Sequence, residues 1–476
     1  MLFDRIPSGY PGADEVFDSI RIGDNVVWQV SDLEGYKRFA RPFAQRALAD
    51  GRNVVYIHFT RHEQLLEAAP GLKIYEFDPD MGFEPFTVAI YDRITAEGEG
   101  AFYVFDCLSE LQSAWYTDQM MGNFFRVTCP YLYELETVAY FPILRGRHSF
   151  DAIARIRDTT QVLIDVYTSD DSVYIHTLKA QDRESINIYL PHVSVRGGPF
   201  KPLDGGVALS RYYKLLDDIS SHTQDQNFDS HDRFFAQAKM EFGQGRFHSQ
   251  TEKVLLESMM SRDPLVQRLI KQMFEPRDYF AVRDRMIGAG SIGGKACGML
   301  LARKIAETCL PEFREHSEPH DSFFIGSDVF YTYIVNNNCW KLRVEQRTPE
   351  GYFSKAPELR EALLHGEFSE QIREQFKSML SYYGQSPIIV RSSSFLEDGF
   401  GNAFAGKYES VFCVNFGPLE ERLRKFEQAV RTVYASTMDP SALEYRAQRG
   451  LEKLDEQMSI LVQRVSGSWA GPYYLP

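Results

Sequence analysis

Apolar positions in the first 200 residues follow two alternating rhythms. Short β-branched and aromatic runs occupy residues 25–30, 53–59, 73–77 and 101–105. Between the first two, Leu33, Tyr36, Phe39, Phe43 and Leu48 recur at helical spacing, and Gly51 follows as a stop signal. This strand–helix–strand alternation predicts a mainly parallel sheet with helices on its faces. Three further strand-like runs, 161–167, 173–178 and 186–190, follow one another with short turns and predict an antiparallel extension at one edge. Residues 197–206 hold four glycines and two prolines and mark a boundary, and the polar stretch 220–233 reads as a loop or linker. Helical spacing then runs through 234–282.

From residue 283 the rhythm changes. A glycine-rich stretch, 288–298, opens a helix reaching residue 307, and a strand follows at 323–325. Helices are predicted at 327–335, 356–364, 367–383, 418–437 and 440–448, and strands at 388–390, 411–414 and 459–465. The expected organisation is α/β: a domain over 1–200 with a parallel sheet and helices on both faces, a helical connector over 201–282, and an α+β domain over 283–476.

Composition narrows the function classes. With 52 basic and 66 acidic residues the net charge is −14, while apolar residues make up 44% and charged residues 25%. These proportions belong to a folded globular chain, and the acidic balance argues against a general nucleic-acid binder. No run approaches the ~18 apolar residues of a membrane span, so no membrane partner is expected. The N-terminus resembles neither a signal nor a transit peptide. Six scattered cysteines without a C-x-x-C pair read as reduced, mostly buried thiols of a cytoplasmic protein.

Two segments carry candidate chemistry. The first is Gly288-Ala289-Gly290-Ser291-Ile292-Gly293-Gly294-Lys295-Ala296. Its formal G-x-G-x-x-G follows a poor strand, which disfavours a dinucleotide site, and Ala296 after Lys295 breaks the P-loop pattern. The residue types still suit phosphate: glycines permit close backbone approach, a helix start offers free N–H groups, and Lys295 supplies a point charge. A glycine-rich helix start with a solvated lysine is the structural alternative. The second segment runs from Ile388-Ile389-Val390 into Arg391-Ser392-Ser393-Ser394 and on to Glu397-Asp398 and Phe404-Ala405-Gly406-Lys407-Tyr408-Glu409-Ser410. An arginine fork and serine donors at a strand end suit phosphate oxygens, and an ion pair of Arg391 with Glu397 or Asp398 is the alternative.

Together the segments resemble the ATP-binding, ATP-grasp region of the phosphoenolpyruvate synthase and pyruvate phosphate dikinase family. Gly293-Gly294-Lys295-Ala296 matches its G-G-K-[GA] start. Val390-Arg391-Ser392-Ser393, the acidic pair and Phe404 to Ser410 match its second signature. The resemblance covers about 284–476 and implies ATP and Mg2+ as cofactors. It implies Lys295 and Arg391 as catalytic contacts to the phosphates, and Gly293, Gly294, Ser392, Ser393 and Gly406 as further nucleotide-binding residues. The 400–406 loop would close over the phosphates, and no metal ligands are assigned. The family's phosphohistidine and pyruvate-binding domains have no counterpart here, so a fragment of a longer phosphotransferase is expected, with its phosphohistidine domain further along the chain or on a partner. The alternative is a non-catalytic nucleotide sensor or scaffold.

Residues 10–193 resemble, more loosely, a RecA-like domain of the circadian-clock ATPase type, through Gly9 to Phe17, Ile22 to Trp28, Arg147-His148-Ser149, and a Walker B-like strand ending in Asp106-Cys107-Leu108-Ser109. Where the phosphate loop would stand is Ser31-Asp32-Leu33-Glu34-Gly35, with two carboxylates and no G-K-[ST]. A RecA-like domain without nucleotide hydrolysis is therefore expected, with Asp106 and His58, His148, His176 and His192 in structural hydrogen-bonding roles.

Overall fold

The computed structural model describes residues 5–475 apart from 11, 116, 170, 184, 186, 221–224, 311, 398–403, 405 and 472. Two compact units result, Met1–Arg233 and Phe234–Pro476.

The first unit is built on a nine-stranded sheet: β1 (Asn25–Val30), β2 (Val54–His58), β3 (Leu72–Glu76), β4 (Phe102–Phe105), β5 (Val138–Leu144), β6 (Val162–Ser169), β7 (Ser172–Ala180), β8 (His192–Val195) and β9 (Lys201–Pro202). The order is β9-β8-β7-β6-β1-β5-β4-β2-β3. Strands β1 to β6 pair in parallel, and β7, β8 and β9 extend the sheet antiparallel from β6. The third strand of this extension is His192–Val195, not residues 186–190. His192 and Val193 pair with strands on both sides, whereas residues 187–190 form a turn.

Helices α1 (Leu33–Ala49), α2 (Phe83–Glu97), α3 (Asp118–Glu134), α4 (Phe150–Thr159) and α5 (Gly206–Ser220) belong to this unit, and helices cover both sheet faces. The stripe predicted on α1 packs as expected: Phe39 stacks on Trp28 with ring centroids 4.2 Å apart, and Phe43 on Tyr140 at 4.0 Å. All four rings are essentially excluded from solvent, each worth roughly 1.5–3 kcal/mol of transfer free energy.

The polar stretch before residue 233 is no free linker over its described part. Gln226 donates to the His148 carbonyl at 2.8 Å and its own carbonyl accepts from Phe150 N–H at 2.9 Å. Helix α6 (Ser230–Gly243) starts against α3 through an exchange of carboxylates. Asp229 accepts from Asp118 N–H at 2.9 Å, while Asp118 accepts from Ser230 N–H at 3.3 Å and Ser149 N–H at 2.8 Å. Each carboxylate thus satisfies orphan donors at the other helix's start.

The second unit holds a five-stranded sheet: β10 (Met286–Ile287), β11 (Ser322–Ile325), β12 (Ile388–Ser394), β13 (Ser410–Cys413) and β14 (Met458–Arg464), in the order β10-β11-β14-β12-β13. All pairs are antiparallel except β10 with β11. Around it lie α7 (Gly294–Cys309), α8 (Ser327–Asn336), α9 (Ala356–His365), α10 (Glu370–Tyr383) and α11 (Leu419–Ala435). The predicted elements of this half are present within a few residues at their ends. Helix Trp340–Gln346 and the hairpin of Ser468–Ala470 with Tyr473–Leu475 are additions that periodicity did not show. All six cysteines are free thiols, four of them buried. Among the described residues no helix is long and apolar enough to cross a membrane.

The Asp118–Asp229 exchange carries a pH signature. Burial and the neighbouring Asp118 charge push the Asp229 carboxyl up to about 6. Asp118 is held down at about 2: its burial is outweighed by hydrogen bonding and charge attraction from His148 and by N–H donors. Because the folded value of Asp229 lies above its unfolded value, its contribution to docking is full below pH ~4 and is lost as pH rises toward 6. Intrinsic-rate-corrected hydrogen exchange in the intact chain should therefore show protection at the starts of α3 and α6 falling from pH 5 to 7.5. In Asp229→Asn that fall should disappear.

Candidate functional site

Strand β12 is the centre of the site. It pairs with β14 along its whole length, from Ile388↔Arg464 to Ser394↔Met458, but with β13 only from Ile388↔Cys413 to Arg391↔Ser410. Beyond Arg391 one edge of β12 is therefore free of a neighbouring strand, and the start of α7 docks there. Gly293 has a φ of +80°, and a Cβ on it would stand 1.5 Å from the Ser393 carbonyl oxygen; one on Gly294 would stand 1.8 Å from that of Glu397. Only glycine permits such an approach. The three serines, expected as phosphate donors, are fully buried. Ser393 Oγ donates to the Ile292 carbonyl at 2.8 Å and accepts from Ala296 N–H at 3.0 Å, capping α7. Ser394 Oγ donates to the Glu456 carbonyl at 2.8 Å. Upstream, Gly288 and Gly290 also have positive φ and lie against Asp328, Val329 and Ser327 at the start of α8. The glycine-rich segment thus first serves packing within the protein itself.

What this docking leaves open is basic. Gly294 and Lys295 are partly exposed. No acceptor for their backbone N–H groups stands among the described residues, so the start of a 16-residue helix keeps two donors and its positive dipole end. The Lys295 ammonium lies 3.0 Å from both Ser392 Oγ and Glu397 Oε1. Glu397 therefore partners Lys295 and not Arg391; Asp398 lies outside the described residues. Arg391 is partly exposed and donates to Gln463 Oε1 at 3.2 Å. Among the described residues it has no carboxylate partner. Two motifs about a hundred residues apart thus meet: Lys295 touches Ser392, the neighbour of Arg391.

The register shows what sequence reading missed. Residues paired across strands share a sheet face, so Ser410, exposed and opposite Arg391, shares its face with Gln463. Gln463 also borders a cleft of about 520 Å³ lined by Met299, Arg303, His320 and Arg464, within the range of small-ligand sites. Strand alternation could have revealed Ser410; nothing local pointed to Gln463. Gly406 is exposed with φ +68°, and no described residue beyond its chain neighbours lies within 4 Å of its Cβ position. It sits at a turn between buried Phe404 and Tyr408, whose rings stack at 5.3 Å. The rest of the 400–406 loop lies outside the described residues.

In the first unit, the start of α1 is closed by the protein's own carboxylate: Asp32 caps it, accepting from Gly35 N–H at 2.8 Å. Glu34 pairs with Lys37. Buried Asp106 accepts from Phe59 N–H at 2.7 Å and the Tyr56 hydroxyl, with His58 Nδ1 at 2.6 Å. His148 bonds Ser109 Oγ at 2.6 Å, and His176 and His192 face the Tyr189 and Leu190 carbonyls. These polar groups are satisfied within the fold. No cluster of His, Cys, Asp and Glu able to hold a metal exists among the described residues.

Residues 289–471 match the family model of the pyruvate phosphate dikinase AMP/ATP-binding domain. The match spans Lys295, Arg391 and their surroundings, and with the five-stranded sheet it makes the second unit an ATP-grasp-like α/β domain. No curated protein sequence matches the chain.

The glycines separate packing from ligand binding in a testable way. Gly293→Ala forces both a strained φ and a backbone clash and should cost more than about 3 kcal/mol in urea unfolding of the full chain. Gly406→Ala meets only the φ penalty and should cost about 1–2 kcal/mol.

Proposed function

We propose that the second unit is the nucleotide-binding part of a phosphotransferase similar to phosphoenolpyruvate synthase and pyruvate phosphate dikinase. The observation that carries this reading is the contact of Lys295, at the start of α7, with Ser392, the residue next to Arg391 on β12, inside the region matching the AMP/ATP-binding family model. The start of α7 cradles a terminal phosphate by backbone donors and the Lys295 ammonium. Arg391, held among the described residues by the Gln463 amide alone, turns its remaining donors to the other phosphate oxygens. Such fixed positive groups stabilise the charge spread over a transferring phosphoryl group. In this reading Mg2+ arrives with the nucleotide. The phosphoryl group passes to a histidine carried on a further domain or a partner protein, and from there to pyruvate or a similar acceptor.

In the same reading the first unit is a RecA-like domain that does not hydrolyse nucleotide. Its strand order supports the relationship, and the Asp32 cap on α1 supports the loss, since a carboxylate at that helix start repels a triphosphate. This unit serves docking or regulation in the cytoplasm.

Calorimetric titration of the intact chain with Mg-ATP tests the proposal. One site per chain is expected. Arg391→Gln should weaken binding at least tenfold, the worth of one or two charge-assisted hydrogen bonds at about 1.5–3 kcal/mol each, with stability unchanged to within about 0.5 kcal/mol. Unaltered affinity in that variant contradicts the assignment.

A further inference from the structure

We propose that Glu397 is the positioning residue of the site, fixing the Lys295 ammonium and setting how much of its charge an incoming phosphate meets. The inference rests on the nucleotide reading above for its ligand and on the geometry for its mechanism.

A lysine ammonium carries three donors and no acceptor. Two of the three are committed. One reaches Ser392 Oγ and one Glu397 Oε1, each at 3.0 Å. The triangle closes because Ser392 Oγ itself donates to Glu397 Oε1 at 2.9 Å. The other carboxylate oxygen accepts from Ser394 N–H at 2.7 Å, which ties the glutamate to the strand end. Glu397 is thereby locked, with only 3% of its side chain exposed, while 21% of the Lys295 side chain reaches solvent. The third donor of Lys295 has no acceptor among the described residues.

Two consequences follow from this asymmetry. A flexible four-carbon stem that would otherwise sample many rotamers is held in one arrangement before any ligand arrives. The anchor that holds it is also a buried negative charge, so a phosphate bound at the third donor lies close enough to Glu397 to be repelled. Arg391 pays no such penalty, because its partner Gln463 is neutral. The two cations therefore have different tasks: Arg391 provides most of the attraction, and Lys295 provides a placed donor of reduced net charge.

Two readouts test this in the intact chain. The first needs no nucleotide. An ammonium released from the carboxylate that ties it to the strand end reaches solvent more often, so mass-spectrometric labelling with acetic anhydride at pH 8 should modify Lys295 several-fold faster in Glu397→Gln than in the wild type, with exposed lysines unchanged. The second is the Mg-ATP titration, in which Glu397→Gln should bind about tenfold more tightly, a charge having been removed near the phosphate. Glu397→Asp keeps the charge but withdraws it by one methylene: Lys295 labelling should rise while affinity does not improve. If Glu397→Gln fails to fold, the aspartate variant carries the test by labelling. Unchanged Lys295 labelling overturns the proposal, as does unchanged or weaker Mg-ATP binding by folded Glu397→Gln. Absence of ATP binding to the wild type instead removes the nucleotide reading and leaves the labelling result to decide the positioning role.

Discussion

The second unit depends on the contact between the start of α7 and the end of β12. A helix cannot approach a strand's carbonyl edge at this distance if either of its first residues carries a Cβ, and Gly293 and Gly294 both lie where a Cβ would overlap a carbonyl oxygen. Once the contact forms, the hydroxyl of Ser393 replaces water at Ala296 N–H, and Ser459 Oγ secures the Ser291 carbonyl at 2.6 Å. Lys295 is then carried to Ser392 without any choice of its own. The phosphate-binding potential is a by-product of this packing: the helix start is held from one side by the strand, and the donors on the other side remain available.

This explains why a motif of glycines, lysine and serines is legible as a site and yet misleading residue by residue. The types and their order pointed to a phosphate cradle, and the two segments do converge. But Ser393 and Ser394 are buried and spend their hydroxyls on the protein's own backbone, which spacing along one segment cannot reveal. Glu397 was legible as half of an acidic pair; its partner was not, because the choice between Lys295 and Arg391 depends on which side of the strand the helix docks. Gln463 lies 72 residues from Arg391, and only sheet register joins them.

The fold was more legible than the site. Strands with near-continuous apolar runs, such as Val54–His58, and an amphipathic helix such as Leu33–Ala49 are set by local patterns that burial then rewards. The polar stretch before residue 233 is a loop over its described residues 225–229, as its composition indicates, but a hydrogen-bonded one. Gln226 and Asp229 are polar in order to satisfy buried donors and acceptors around His148 and α3, so low hydrophobicity there signals a hydrogen-bonded seam. In the same unit the helix start after β1 is closed by Asp32, whereas the one after β10 is left open at Gly294 and Lys295. Of these two helix starts, one is occupied by the protein's own carboxylate and one is available to an anion.

The central claim is that the open helix start receives the phosphates of a nucleotide between Lys295 and Arg391. A crystal structure of the intact chain with Mg-ATP or a non-hydrolysable analogue tests it most directly. The account predicts phosphate oxygens within hydrogen-bond distance of the backbone N–H of Gly294 or Lys295, of the Lys295 ammonium and of the Arg391 guanidinium. Nucleotide bound elsewhere, with the Lys295–Ser392–Glu397 triangle untouched and Arg391 still turned to Gln463, would contradict it.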